Sequence, residues 1–321
     1  MLKTFEEAAQ WINEGRILHI AGNGSLLGKL PKGNWIGGST EYFMTNKGGL
    51  ISGSLLFVTE FSNETFSIRD YGIDTISRVM IDAYDNGFSI IVIPFDCEVH
   101  NEYARNAAEY EGMFIKNIAG WISGTNMNTP GQIPIAINGQ TGEVLTDRAA
   151  VLHLEEPKSK TVDVGIINIH EQDKQSPVIE FDKNEITAIS TCRINGKEML
   201  LADYIRQSGH DLRIPMVGDY YGHGVNVAFR SVEATVVHLF APVFSGIKYR
   251  FAKAAPDYAA AFQEQLNKLK NEHVVFSCNC VLNFMFGEME GKNCGTFCGP
   301  ITFGEVAYQQ LTQTLVYVMV A

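Results

Sequence analysis

The sequence predicts an α+β fold made of two mixed α/β halves, with a strand-rich C-terminal part. Three observations lead there. Apolar residues recur at helical spacing in a few separate stretches, short apolar runs bounded by glycine follow one another with no helix between them, and from Gln132 onward such runs dominate. A chain of 321 residues corresponds to about two domains at roughly 150 residues each. The acidic stretch 171–184 is the natural border, giving one α/β domain over 1–185 and another over 186–321.

Residues 4–14 read as an amphipathic helix in which Thr4 is the cap, Glu7 completes a capping box, and Phe5, Ala8, Ala9 and Ile12 share one face. Strands are expected at 17–21, 35–36 and 55–59, separated by glycine-rich turns. The stripe Ile76, Val79, Met80 and Ala83 predicts a helix over 74–86, followed by a buried strand at 89–94 and a second helix over about 98–111. Strand-like segments then fall at 133–137, 142–155, 162–170 and 185–192. A short helix over 197–207, strands near 226–228, 234–239 and 248–252, a helix over 257–272 and a strand at 273–276 lead into a Cys/Gly-rich loop. The last strand, Leu315–Val320, is apolar and is expected to be covered by the core.

Lys+Arg 25 against Asp+Glu 36 gives a net charge of −11, which argues against a nucleic-acid partner. No apolar run approaches the roughly 20 residues of a membrane helix. Glu6, Glu7 and Glu14 stand where a secretory signal would be apolar. Six cysteines are too sparse for a disulfide scaffold, so a soluble, cytoplasmic protein with reduced thiols is expected.

Several motifs bear on chemistry. The glycines between Gly22 and Gly28 follow a strand, but Pro31, Gly33 and a new strand come next where a dinucleotide-binding loop would open into a helix. A turn-rich connection fits better. Cys97 sits between a strand and a helix carrying His100, the arrangement of a cysteine-dependent hydrolase or transferase, although a buried packing thiol at a strand end is far commoner. Cys278, Cys280, Cys294 and Cys298 supply enough sulfur for a tetrahedral zinc site; packing thiols, with Cys278 and Cys280 on one strand face, are the favoured alternative. Asn195-Gly196 is a turn signal, and the loop holding Asp219 and His223 could line a polar pocket.

The C-terminal half resembles the C-terminal domain of the FIST family of small-ligand sensory proteins. The resemblance rests on Ile194-Asn195-Gly196-Lys197, Ile214-Pro215-Met216-Val217, Val275-Phe276-Ser277-Cys278, and the run from Gly299 through Phe303-Gly304-Glu305 to Val306. In the N-terminal half, Trp35-Ile36-Gly37-Gly38-Ser39-Thr40 is similar to that family's glycine-rich Ser/Thr turn. The resemblance implies a two-part cytoplasmic sensor, FIST-N-like over 1–185 and FIST-C-like over 186–321, that is non-catalytic and needs no cofactor. Such a protein would bind a small molecule such as an amino acid and pass its signal to a separate signalling protein. Gly38, Ser39, Thr40, Asn195, Asp219, His223, Cys278, Gly304 and Glu305 are the expected ligand-binding residues. Glu305 would present a carboxylate to an amine, and Ser39 and Thr40 would offer hydroxyls and turn N–H groups to a carboxylate. The alternative is that Glu305 bonds backbone amides in its turn and Ser39 caps one.

Overall fold

Runs rich in Val, Ile and Phe pair into four six-stranded sheets and one three-stranded sheet among the described residues. The computed structural model describes residues 1–129, 131–220, 222–255, 257–268, 273–292, 295 and 297–321. The first sheet runs Leu2–Lys3, Leu56–Phe61, Ile17–Gly22, Trp35–Ser39, Ala136–Asn138, Glu143–Leu145 in spatial order. The second runs Gln309–Leu311, Glu305–Ala307, Asn117–Ser123, Gly87–Pro94, Ala149–Glu155, Phe66–Tyr71.

These two sheets share one core, in which Ala21, Ile36 and Phe57 join Ile90, Val92 and Trp121. Helix Phe5–Asn13, closed by the expected Thr4/Glu7 capping box, buries Ala8 and Ile12 against the far face of the first sheet. Helix Glu98–Asn106 covers the far face of the second. The result is a helix–sheet–sheet–helix stack, a standard way of burying two apolar sheet faces against each other. Gly38 marks a close approach within it: a Cβ there would lie 2.4 Å from Val92 Cγ1 and 2.9 Å from the Trp121 ring.

The third sheet runs Val162–Ile167, Leu315–Val320, Val274–Cys280, Gly299–Thr302, Tyr42–Thr45, Gly48–Ile51. Strand Leu315–Val320 is therefore central, paired on both sides and buried as expected. The second and third sheets each draw strands from both sides of residue 185. Helices Tyr258–Asn267 and Val281–Phe286 contribute to the core on one face of the third sheet. The fourth sheet, the three-stranded sheet and helix Leu201–Ser208 enclose a separate core of residues lying between Ile179 and Phe251. No helix among the described residues is long and apolar enough to cross a membrane.

The α+β class stands, and several local expectations change; among them, the helix expected over 98–111 ends at Asn106, and the stretch from Gly22 to Gly28 contains the short helix Gly24–Leu27. Over 74–86 the apolar stripe is buried, yet the backbone makes only the 3₁₀ turn Ile76–Arg78. Short turns pair part of it, Val79 N–H with the Ile76 carbonyl and Asp82 N–H with that of Arg78, while Lys116 Nζ donates to the Ala83 carbonyl at 2.6 Å and the Tyr71 hydroxyl to the Asp82 side chain at 3.1 Å. Asn195 and Gly196, at φ 49° and 81°, form a hairpin turn joining Thr191–Ile194 to Lys197–Leu200, so the helix expected from 197 begins at Leu201. The Cys/Gly-rich loop contains helix Val281–Phe286, and residues 269–272 of the expected 257–272 helix lie outside the described residues.

Gly38→Ala should destabilise the protein by about 1–3 kcal/mol through overpacking between the two sheets. Urea unfolding midpoints measure it, and an unchanged midpoint would contradict the close approach.

Candidate functional site

Several separate segments bring polar side chains together at one buried place. Antiparallel pairing sets Glu305 opposite Trp121 and Leu311, while parallel pairing sets Cys280 beside Thr302. Glu305 is fully buried. The Thr302 hydroxyl lies 2.8 Å from its Oε1, and the Thr314 N–H and hydroxyl reach its Oε2 at 3.2 and 2.9 Å. Burial, partly offset by these donors, pushes the Glu305 carboxyl up to about 8.

Hydrogen-bond accounting agrees with a protonated carboxyl. The Thr302 hydroxyl has one proton and faces two acceptors, Glu305 Oε1 and, at 3.1 Å, the Asn279 carbonyl. A protonated Glu305 donates to Thr302 and frees the hydroxyl to donate to Asn279, so every group is satisfied.

The rest of the cluster surrounds this carboxyl. The Cys280 thiol neighbours Glu305 and is held well above its ordinary range by burial. Asn283 donates to Asn279 Oδ1 at 2.9 Å and accepts from the Tyr258 hydroxyl. Gln313 is buried in a left-handed conformation at φ 52°, and its Nε2 donates to the Arg213 carbonyl at 3.0 Å. Its Oε1 has no partner among the described residues.

Asn226 ties a further segment to this one. It exchanges amide hydrogen bonds with Asn168 at 3.0 and 2.9 Å and donates to the Thr312 carbonyl at 3.1 Å. Asn168 Oδ1 in turn accepts the His170 N–H at 2.9 Å. His170 is only 7% exposed, its ring lies 5.8 Å from that of Tyr258, and neither ring nitrogen has a partner among the described residues. Burial lowers its pKa to about 4, so the imidazole is neutral at neutral pH.

Of the residues singled out from sequence, Glu305 lies at the centre of this cluster and Gly304 precedes it in the chain. Ser39 and Thr40 are committed to backbone: Ser39 Oγ accepts from Ile135 N at 2.9 Å, and Thr40 Oγ1 donates to the Ile301 carbonyl at 2.7 Å. Cys278 is in the core and donates to the Gly120 carbonyl at 3.3 Å. Asn195, Asp219 and His223 are exposed turn and hairpin residues of the fourth sheet; Asn195 also lines a shallow cleft with Tyr204 and Arg250.

Cys97 donates to the Pro94 carbonyl at 3.1 Å, and burial raises its pKa. His100 Nδ1 accepts the Asp96 N–H at 3.1 Å, and its buried Nε2, lying near Gln310, closes no hydrogen bond. The described residues contain no group of three or more His, Cys, Asp or Glu side chains able to hold a metal; Cys294 lies outside them. Cys278 and Cys280 belong to different cores, and Cys298 is half-buried at the edge of the first.

Sequence reading missed His170, Tyr258, Asn279, Asn283 and the run Thr312-Gln313-Thr314. That run was the available signal: three polar residues directly before an apolar strand, all buried here.

A model of a family of unknown function, DUF6976, matches residues 3–321. The chain belongs to the DUF6976 family. This overturns the FIST resemblance, since the match covers both FIST-like halves as a single DUF6976 family and no FIST model matched. The quoted motifs were short, and turns built on glycine recur in unrelated folds for the same backbone reason. No curated protein matches this DUF6976 chain, and no solved structure does.

Two predictions follow from the titrating groups. In the folded state Glu305 keeps a proton that the unfolded chain loses near its ordinary 4.5, so its contribution favours folding at low pH. That contribution falls as pH rises from about 4.5 to about 8. Glu305→Gln, which mimics the protonated acid, should gain stability relative to wild type across that window. Glu305→Ala should lose about 2–4 kcal/mol, because it strands the Thr314 donors and opens a cavity. Denaturation across pH tests both, and parallel wild-type and Gln profiles would rule out the protonated acid. Cys97 should also alkylate more slowly than a free thiol at neutral pH, as mass spectrometry of iodoacetamide-treated folded protein would register.

Proposed function

We propose that this protein binds a small polar molecule without turning it over, in the buried centre formed by Glu305, His170, Tyr258 and Gln313. One observation carries the reading: His170 is more than nine-tenths buried with both ring nitrogens unpartnered, whereas most polar groups around it are paired. A buried polar atom left unpaired costs roughly 1–3 kcal/mol, and a bound molecule that pairs with it recovers that cost. Gln313 adds a third unpaired atom on a strained backbone, a combination found at ligand-binding sites. Tyr258 is half-buried, the most exposed of the four.

A signalling role through a separate partner fits such a binder. The five described cysteines are free, in keeping with a cytoplasmic setting. Cysteine-dependent hydrolysis at Cys97 has less support, because the His100 imidazole pairs with the Asp96 N–H and the thiol with the Pro94 carbonyl, not with each other.

Native mass spectrometry of the purified protein beside a denatured control tests the reading. A small-molecule mass that is lost on denaturation and absent from His170→Phe is the expected result. A bare chain mass, together with no thermal shift across a millimolar metabolite panel, would overturn it.

A further inference from the structure

The chemistry of the unpaired atoms narrows the ligand class, and this step rests on the binding reading above. Neutral His170 offers one N–H donor and one nitrogen acceptor, and Gln313 Oε1 offers a second acceptor. The complement is a group with two donors and one acceptor on a small frame. A primary carboxamide or a ureido group has that set: two N–H bonds on one nitrogen and an adjacent carbonyl oxygen.

The electrostatics select in the same direction. No lysine or arginine side chain among the described residues is seen to bond Glu305, Thr302, Thr314, Asn279, Asn283 or Tyr258. Arg213, which gives only its backbone carbonyl to Gln313, turns an exposed guanidinium to Asp211. Glu305 has both oxygens committed to Thr302 and Thr314, so it is not available as a counter-ion. A carboxylate or an ammonium entering here would be desolvated with no opposite charge to offset it. A neutral amide avoids that cost.

Tyr258 is the neighbour that the two recognising side chains share, its ring beside the imidazole and its hydroxyl beside the Gln313 amide. The Asn168–Asn226 amide pair locks the His170 segment onto the Thr312 carbonyl, one residue before Gln313. The Tyr258 ring then lies against the imidazole, with its hydroxyl fixed by Asn283.

We propose that the site recognises an uncharged ligand through a terminal carboxamide or ureido group, with the imidazole of His170 and Oε1 of Gln313 as the recognising atoms. This also revises the earlier expectation of an amino-acid-like ligand held by Glu305 and Ser39, because both side chains are already engaged within the protein.

The test uses four near-isosteric probes on the full chain: propionamide, propionate, propylammonium and N,N-dimethylpropionamide, followed by saturation-transfer NMR and thermal shift. Propionamide is expected to bind at least tenfold more tightly than the other three, and His170→Phe and Gln313→Met should each weaken it at least tenfold. Should His170→Phe fail to fold, as judged by circular dichroism and melting temperature, Gln313→Met carries the test alone. Equal binding of the dimethylated amide, which lacks both donors, would overturn the assignment. So would preferential binding of propionate or propylammonium; if that binding still needed His170, the binding reading would survive while the ligand class fell. No binding by any probe also overturns the class, and the native mass measurement then decides the binding reading independently.

Discussion

The docking of several distant segments depends on the hydrogen bonds made by Thr312, Gln313 and Thr314. All three are buried, and each holds a different part of the chain: Thr312 the strand containing Asn226, Gln313 the carbonyl of Arg213, and Thr314 both Glu305 and the Cys280 N–H. Leaving any of these groups unpaired in the interior costs roughly 1–3 kcal/mol, so the separate core of residues 179–251 and the third sheet are fixed against each other by polar pairing as well as by apolar contact. The left-handed backbone at Gln313 lets one short run serve three directions.

The same pairing explains how a carboxyl comes to lie inside the protein. A charged Glu305 would need a cation, and the surrounding segments supply hydroxyls, amides and a thiol instead. Keeping its proton resolves the conflict at no cost in hydrogen bonds, and the site becomes uncharged throughout. Buried imidazoles elsewhere follow the same logic: His19 is fully buried, accepts from Trp121 Nε1 at 2.8 Å and is depressed to about 3 by burial.

Much of the fold was legible in local patterns. The capping box, the strand ending at Pro94 and the apolar strand Leu315–Val320 all appear where spacing and composition put them. The stretch 74–86 misled because a helical stripe records which residues are buried and says nothing about how the backbone is paired; here short local turns pair part of it and Lys116 takes the Ala83 carbonyl. The site was legible only in part. Glu305 stood out as a carboxylate between glycine and an apolar segment, and its partners Thr302 and Thr314 lie close to it in sequence, whereas the His170 and Tyr258 rings meet from distant segments through pairings that no local spacing encodes. The FIST-like motifs failed for a related reason: they are turn and strand-end sequences, which report local backbone need and carry little about the whole architecture.

Val162 pairs with Val320, so the third sheet closes a loop that contains the entire separate core of residues 179–251. Loop-closure entropy grows with the logarithm of the flexible length, at about 0.6 kcal/mol for each doubling. A core that condenses first would remove its own residues from that length and bring the two ends of the loop closer. If it condenses first, the inserted unit acts as a clip on the chain, shortening the loop that closes a sheet to which it contributes no strand.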